Sequence, residues 1–565
     1  MYNRLISMGG RRLEAPSSVA LPWWASPRGA AVIVAVAAIA AYARALGNEF
    51  TYDEGLVILG AQRFLQSASF GTLFSPRYFS GSLEGTWRPV CTFTYMLDAM
   101  VSITPAVFKA QSLLWHVGAA WLVMALARRL LPQSRRRYAI VAGLLFALHP
   151  VTAETVDNAS FREDSLVTFF TLATLILALD GRQKLAVGTF ALGLLSKESA
   201  VVAPALLAIL RIGRFDGAPE RALRATCAAL LRELVPYGVV ALAYLGLRFG
   251  PMRFPGTYAQ YPGGTFAATL IGLPAIWAHD IRLLVWPWPL CADYTGYFRF
   301  GAQPWGPVLG SAAVVAGTLG LAVFALRRGA RVVALGFGWF FLTLLPVSNL
   351  LPIPIPAAER FLYLPLVGIA LAASASFGML MERLGNRPTP GGRRLAVVLG
   401  SGLLVAFAGV LNLRHGAWRD DQTLWLATVA VNPRSCGAQS AVGGSLLSRG
   451  MASGERDVLR ASAAREEVAL SLCSDDSDPF RAAVTYTRLG AARALLDDNG
   501  GAREALGRAI RFNPHYALPV AWLGYLAYRE DDLNAAANLL KHAIIDLGPP
   551  DATVADVARL YVDKI

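Results

Sequence analysis

The chain has 565 residues, of which 55% are hydrophobic and only 16% charged, and its mean hydropathy is +0.45. A soluble protein of this length needs more charge to cover its surface, so the composition points to an integral membrane protein. The net charge of +14 does not imply a nucleic-acid partner. The basic residues sit in short runs between apolar segments, the pattern of an inner membrane face.

The chain opens with Arg4, Arg11 and Arg12 ahead of an apolar run from Ala30 to Leu46. A cleaved signal peptide is the competing reading, but no convincing Ala-x-Ala site follows and the run is too long for a signal core. Residues 1–29 therefore read as a cytoplasmic N-terminus. A helix crosses the roughly 30 Å hydrocarbon core in about 20 residues. Candidate spans are 30–46, 107–127, 138–157, 164–180, 185–196, 198–213, 233–249, 305–326, 332–350, 361–381 and 395–413. The two around Lys197 are short. Segment 266–290 is apolar but contains His279, Asp280, Arg282 and two Trp-Pro pairs, which suits an interfacial or re-entrant segment better than a span. The expected fold is all-α, with about eleven transmembrane helices plus that segment.

Arg and Lys gather at 128–137, 182–184, 211–232, 327–331 and 383–394. With eleven crossings these loops share the side of the basic N-terminus, which places them in the cytoplasm. The loops 47–105, 151–163, 250–304 and 351–360, and everything after 413, then face outward. Cys227 is expected to be cytoplasmic and free.

Charges near a membrane boundary are expensive, and the outward side collects them in groups. The first outward loop opens on Tyr52-Asp53-Glu54. Adjacent carboxylates there are either a general base or an interfacial helix cap. The loop then carries Trp87-Arg88-Pro89, where Arg88 can pair with phosphate. The second brings together His149, Glu154, Arg162, Glu163 and Asp164. Lys197-Glu198 lies between two short apolar runs, and Glu359-Arg360 precedes Phe361-Leu362-Tyr363. Five polar sites on one membrane face are what one outward-facing active site assembled from several loops would show.

From about residue 425 an Ala-rich helical pattern replaces the apolar runs. Leu489-Gly490 recurs as Leu523-Gly524, and Ala502, Leu506 and Ala509 as Ala536, Leu540 and Ala543, all at an offset of 34. That is the tetratricopeptide period. Asn513-Pro514 closes the first copy where Gly548-Pro549 nearly closes the second, and a degenerate third is expected around Gly443-Gly444. Such a solenoid exposes a groove suited to peptides. Domains are expected at 30–415 (membrane) and 416–565 (exported repeats). Cys436 and Cys473 are the only cysteines of that exported part, and an outward compartment permits a disulfide between them.

These motifs occur in an order that carries a family resemblance. Tyr52-Asp53-Glu54, Trp87-Arg88-Pro89, His149-Pro150-Val151 with Glu154, Arg162 and Asp164, Lys197-Glu198, Trp286 with Asp293-Tyr294, Glu359-Arg360-Phe361-Leu362-Tyr363-Leu364-Pro365 and Trp418 resemble the transmembrane and tetratricopeptide-repeat O-mannosyltransferases, the TMTC family. That family and its bacterial relatives lie within the GT-C glycosyltransferases, and the resemblance covers essentially the whole chain. It implies a GT-C membrane domain whose first outward loop bears the catalytic acid motif. The chain departs from its relatives at Glu54, where a second Asp is usual, at Thr152, where a second His is common, and at Phe161-Arg162-Glu163-Asp164, which replaces Gly-Arg-Ala-Asp.

The resemblance also implies a polyprenyl-phosphate sugar donor, with mannose taken from the best-studied relatives, and inverting transfer to a hydroxyl acceptor, expected to be Ser or Thr of a protein docked in the repeat groove. Asp53 is expected as base, with Glu54 beside it in the acid motif. Arg88, Arg162, Lys197 and Arg360 are expected on the phosphate; His149, Glu154, Asp164, Glu198, Glu359 and Tyr363 on the acceptor side or as supporting groups. Enough cations surround the leaving phosphate for transfer without a metal or other cofactor. The Ala-, Gly- and Arg-rich composition suits a bacterial plasma membrane. Rival readings are an O-oligosaccharyl ligase or polymerase, a non-enzymatic membrane scaffold and a transporter. The outward acidic pair argues against the first, and charges lying outside the membrane midplane against the last.

Overall fold

The computed structural model describes residues 26–212, 220–254, 260–301, 304–353, 355–386, 391–473 and 479–546. Arg4, Arg11, Arg12, Arg214, Arg387 and Gly548-Pro549 lie outside the described residues, as do the side chains of Arg221, Arg224 and Cys227. Among the described residues the chain is all-helical, without a strand.

Helix α1 (Pro27–Tyr42) begins where Ser26 Oγ accepts the Gly29 N–H at 3.0 Å, with Pro27 in the first turn, where its missing amide is not needed. The other main helices of the membrane part are α2 (Pro89–Val101), α3 (Pro105–Leu130), α4 (Ala139–Leu148), α5 (Ala153–Asp157), α6 (Arg162–Leu179) and α7 (Gln183–Ser196). They continue with α8 (Ala203–Ile212), α9 (Glu220–Phe249), α10 (Phe266–Val285), α11 (Trp305–Arg327), α12 (Arg331–Leu344), α13 (Tyr363–Gly385) and α14 (Gly391–Ala417).

Seven described helices are long and apolar enough to cross a membrane, or eight if α4 and α5, bent by 51° around His149, form one span. The protein is thus a multi-pass membrane protein. One of the seven is α10, a continuous 20-residue helix over the segment expected to be interfacial. Tyr261 before it, Trp277 within it and Cys291 beyond it bond to Leu350, Ser348 and Glu359 respectively, so its whole course is tied to one short segment. Four of the eleven expected spans fall short of the length and apolarity. Helix α6 opens on Arg162, Glu163 and Asp164, and α7, α8 and α12 run 14, 10 and 14 residues, about 21 Å at most. The chain breaks where these helices gather buried charge, as at Lys197.

The two ends of the bundle differ chemically. At one, Arg129 meets Asp180 at 2.8 Å, Arg135 meets Glu382 at 2.6 Å and Arg211 meets Glu233 at 2.7 Å, which brings the basic loops together. At the other, the loops around residues 50, 158, 198 and 359 converge. Helices α12 and α13 touch through Gly336 and Gly368. A Cβ on either would lie 2.3 Å from the other's carbonyl oxygen, the small-residue contact typical of helices packed in lipid.

A linking helix, α15 (Asp421–Val431), leads to three helix hairpins: α16 (Cys436–Ser453) with α17 (Arg456–Leu472), α18 (Pro479–Leu495) with α19 (Asn499–Phe512), and α20 (Ala517–Arg529) with α21 (Leu533–Lys541). The last two repeat at 34 residues in detail. Asp497 and Asp531 adopt left-handed φ values of 70° and 60°. Asp498 and Asp532 then cap the second helix, each accepting an amide at 3.0 Å, from Gly501 and Ala535. At Gly490 the paired helices touch, since a Cβ there would meet Leu506 Cγ at 2.7 Å. The hairpin at 436–472 lies where the degenerate copy is expected, and a disulfide joins Cys436 to Cys473, their Cα atoms 6.0 Å apart.

Candidate active site

After α1 the chain is stitched to the end of α14. Asn48 Nδ2 donates to the His415 carbonyl at 2.9 Å, and the Glu49 N–H to the Arg419 carbonyl at 2.9 Å. Tyr52 then adopts φ 57°, a left-handed conformation that costs a non-glycine residue on the order of 1–3 kcal/mol and gathers at functional sites. Its N–H donates to Asp421 Oδ1 at 2.8 Å, and its ring stacks on Trp425 with centroids 4.9 Å apart. This strained turn separates the next two carboxylates.

Asp53 is exposed to solvent. Even so, the surrounding protein strips enough water from its carboxyl to push it up to about 6; the Arg360 guanidinium opposes that rise, and Glu163, Glu154 and Asp421 add to it. Glu54 is fully buried. Its carboxylate accepts the Thr51 N–H at 2.7 Å and the Ala159 N–H at 2.6 Å, with Lys109 Nζ at 3.9 Å. The expected pair of catalytic carboxylates therefore divides into one accessible group and one internal brace between the first two loops.

Two ionic clusters flank Asp53. In the first, Glu154 accepts the Arg360 N–H at 2.8 Å and a guanidinium N–H of the same residue, and that guanidinium lies 3.9 Å from the centre of the Phe161 ring. Glu359 points the other way. It accepts from Cys291 N–H, from Tyr294 O–H at 3.2 Å and from Arg414 Nη2 at 3.1 Å. In the second, Lys197 Nζ donates to both Asp164 oxygens at 2.6 Å and sits 3.7 Å from Glu163. Arg88 reaches Glu163 at 2.8 Å and Glu198 at 3.7 Å, while Arg248 at the end of α9 pairs with Glu198. Burial pushes the Glu84 carboxyl up to about 8, against the pull of Arg88 and with a further push from Glu163. Lys197 lies 5.6 Å from the Phe361 ring centre, so the clusters adjoin.

Three expected site residues stand elsewhere. Arg162 is fully buried and its guanidinium is consumed by the protein: Asp98 at 2.6 Å, Ser112 at 3.1 Å, Thr94 at 2.9 Å, the Phe108 carbonyl at 2.7 Å, and Gln111. No donor is left for a phosphate, so Arg162 is a structural hub. His149 holds the break between α4 and α5, with Nε2 3.1 Å from the Leu284 carbonyl. The Tyr363 hydroxyl is buried 2.6 Å from His116 Nδ1. Of the remaining motif residues, Trp286 is exposed and Trp418 is buried beside Arg414. Asp293 accepts from Ser435 O–H at 2.6 Å, which joins the membrane part to α16.

Sequence reading missed Glu84, Asp98, Lys109, Arg248, Arg414 and Asp421. For Asp98, Lys109 and Arg248 a signal existed, a charge inside or at the end of an apolar run; Asp421 carries none, because its partner is 369 residues away. No group of three His, Cys, Asp or Glu placed to hold a metal ion occurs among the described residues. The arrangement sets an exposed carboxyl, pushed up to about 6, against Arg360, with Lys197 and Arg88 in the adjoining cluster through Glu163.

No family model and no solved structure matches the chain. It is 26% identical to human Protein O-mannosyl-transferase TMTC4 over 506 residues, which cover 77% of this chain and 65% of that protein. Protein O-mannosyl-transferase F38B6.6 of Caenorhabditis elegans is 25% identical over 409 residues, 69% of this chain and 56% of the relative. Protein O-mannosyl-transferase Tmtc1 of Drosophila melanogaster is 26% identical over 498 residues, again 69% and 56%. The chain spans between 56% and 65% of the length of these curated relatives. Similarity over most of its own length to several such proteins makes this a TMTC-like chain.

Proposed function

We propose that the protein is a GT-C mannosyltransferase that moves mannose from a polyprenyl phosphate to a Ser or Thr hydroxyl of a protein, with inversion. The acceptor O–H gives its proton to Asp53 while the oxygen attacks the anomeric carbon opposite the phosphate. The bond from that carbon to the phosphate oxygen breaks, and the lipid phosphate leaves with the electron pair. Arg88, Lys197 and Arg360 meet its charge, so that no metal is required. Glu154 and Asp164 hold Arg360 and Lys197, while Glu54 braces the loop. In this reading the basic end of the bundle is cytoplasmic in a bacterial plasma membrane. The hairpins form an exported tetratricopeptide domain that presents the acceptor; a cavity of about 380 Å³ lined by Glu467, Tyr486, Arg493, Glu504 and Arg508 lies among them.

The observation that carries this reading is the exposed Asp53 carboxylate, titrating near 6 beside Arg360, in a chain similar to proteins named O-mannosyl-transferases. The test gives the purified protein in lipid discs radiolabelled polyprenyl-phosphate mannose together with Ser/Thr-containing peptides. Label in the peptide is expected. Label only from a nucleotide sugar would overturn the donor class, and transfer of a preassembled oligosaccharide in place of mannose would favour a ligase.

A further inference from the structure

Glu198 is the loosest member of the second ionic cluster. Its side chain is 34% exposed, against 5% for Glu163 and 9% for Asp164. It bridges two guanidiniums, at 3.7 Å from Arg88 Nη2 on one oxygen and paired with Arg248 on the other. Of the carboxylates in this cluster it is therefore the one an anion arriving from outside meets first. The two cations it covers are different in kind: planar forks that match phosphate oxygens two at a time.

The position of the seat narrows the anion. Arg248 is in the last turn of α9, one of the helices apolar enough to span. Below it Val235, Val239 and Leu242 form an exposed apolar stripe at helical spacing. Tyr244 of the same helix stacks on Trp87, with centroids 5.9 Å apart and planes 12° apart, which holds α9 against the residue next to Arg88. Two guanidiniums at the polar end of a lipid-facing stripe suit a phosphate that carries a hydrocarbon tail.

We propose that Glu198 occupies, in the unliganded protein, the seat of the donor's phosphate: the phosphate of a polyprenyl phosphate binds between Arg88 and Arg248, and Glu198 swings out as it enters. This rests on the donor class proposed above. Arg88 keeps its contact with Glu163, so a single side chain has to move.

The test is binding, not turnover. Full-length protein in discs of neutral lipid is titrated with sugar-free polyprenyl monophosphate, and in parallel with inorganic phosphate and phosphatidylglycerol. Glu198→Gln is expected to tighten the polyprenyl phosphate roughly tenfold, about one charge-assisted hydrogen bond, a gain that a misfolded variant could not produce. Arg248→Ala is expected to weaken it by a similar factor and to cancel the gain in the double variant. Unchanged or weaker binding in Glu198→Gln would overturn the stand-in role. An equal gain for inorganic phosphate or phosphatidylglycerol would overturn the selectivity for a polyprenyl tail. A protein that binds as expected yet transfers no mannose contradicts the transferase reading and not this one.

Discussion

Asp53 and Glu54 are neighbours in sequence with opposite surroundings, and the Tyr52 turn is what parts them. If Asp53 is the base it must be ionised, and its carboxyl is raised from its ordinary value to about 6. Turnover should therefore fall as pH drops through about 6 and level off above it. Arg360 is the group that holds this value down, so Arg360→Gln should move the acid limb to higher pH; a pH–rate profile on both proteins checks the direction. Glu54→Ala should act on stability instead. It strands the amides of Thr51 and Ala159 and removes the ion pair of the buried Lys109, a loss of about 3–5 kcal/mol by analogy with broken buried pairs. Thermal unfolding in detergent should show it, and an unchanged transition would contradict the brace. At this scale the sequence revealed which charges gather but not which way they face. Arg162 and Arg360 look alike as motif residues. Only the fold shows that one is spent inside on Asp98 and its neighbours while the other borders Asp53.

Between elements, the notable joint is α15 against the first loop. Asp421 accepts the Tyr52 N–H and Trp425 stacks on its ring, so the helix that leads into the hairpins also holds the left-handed turn beneath Asp53. Asp421→Ala or Trp425→Ala should lower kcat about tenfold, some 1.4 kcal/mol, and leave donor binding unchanged, because neither side chain lies among the phosphate-side cations. Parallel turnover and binding measurements separate the two effects; an equal loss in both would contradict a positioning role. The helices themselves were largely legible from apolar periodicity, and the break at His149-Pro150 follows from proline chemistry. Helices over 164–180, 185–196 and 198–213 are too short, or too charged at their ends, to pass on length and apolarity, yet they run between the two ends of the bundle: Asp164, Lys197 and Glu198 lie at the site end, Asp180 and Arg211 at the basic end. Contacts such as that of Asp421 with Tyr52 leave no local pattern, since nothing in either neighbourhood refers to the other.

At the scale of the molecule, a multi-pass bundle places its basic loops at one end and its candidate site at the other, and the hairpins attach at the site end through Asp293, Ser435 and α15. The Cys436–Cys473 bridge closes a separation of 37 residues, which in the loop-entropy account contributes about 3–4 kcal/mol to that hairpin. Cys473→Ser should make the α16–α17 hairpin more sensitive to protease while the membrane bundle stays intact. The 34-residue period was readable because it repeats; the assembly of one site from loops hundreds of residues apart was readable only as an expectation drawn from their shared side.

Whether Asp53 is the base of a mannosyl transfer is decided by comparing membranes carrying the wild type with membranes carrying Asp53→Asn, each supplied with radiolabelled polyprenyl-phosphate mannose. Label reaching protein in the wild type, and none in a variant that folds and binds the donor equally well, is the expected result. Equal labelling by both would contradict the assignment of Asp53.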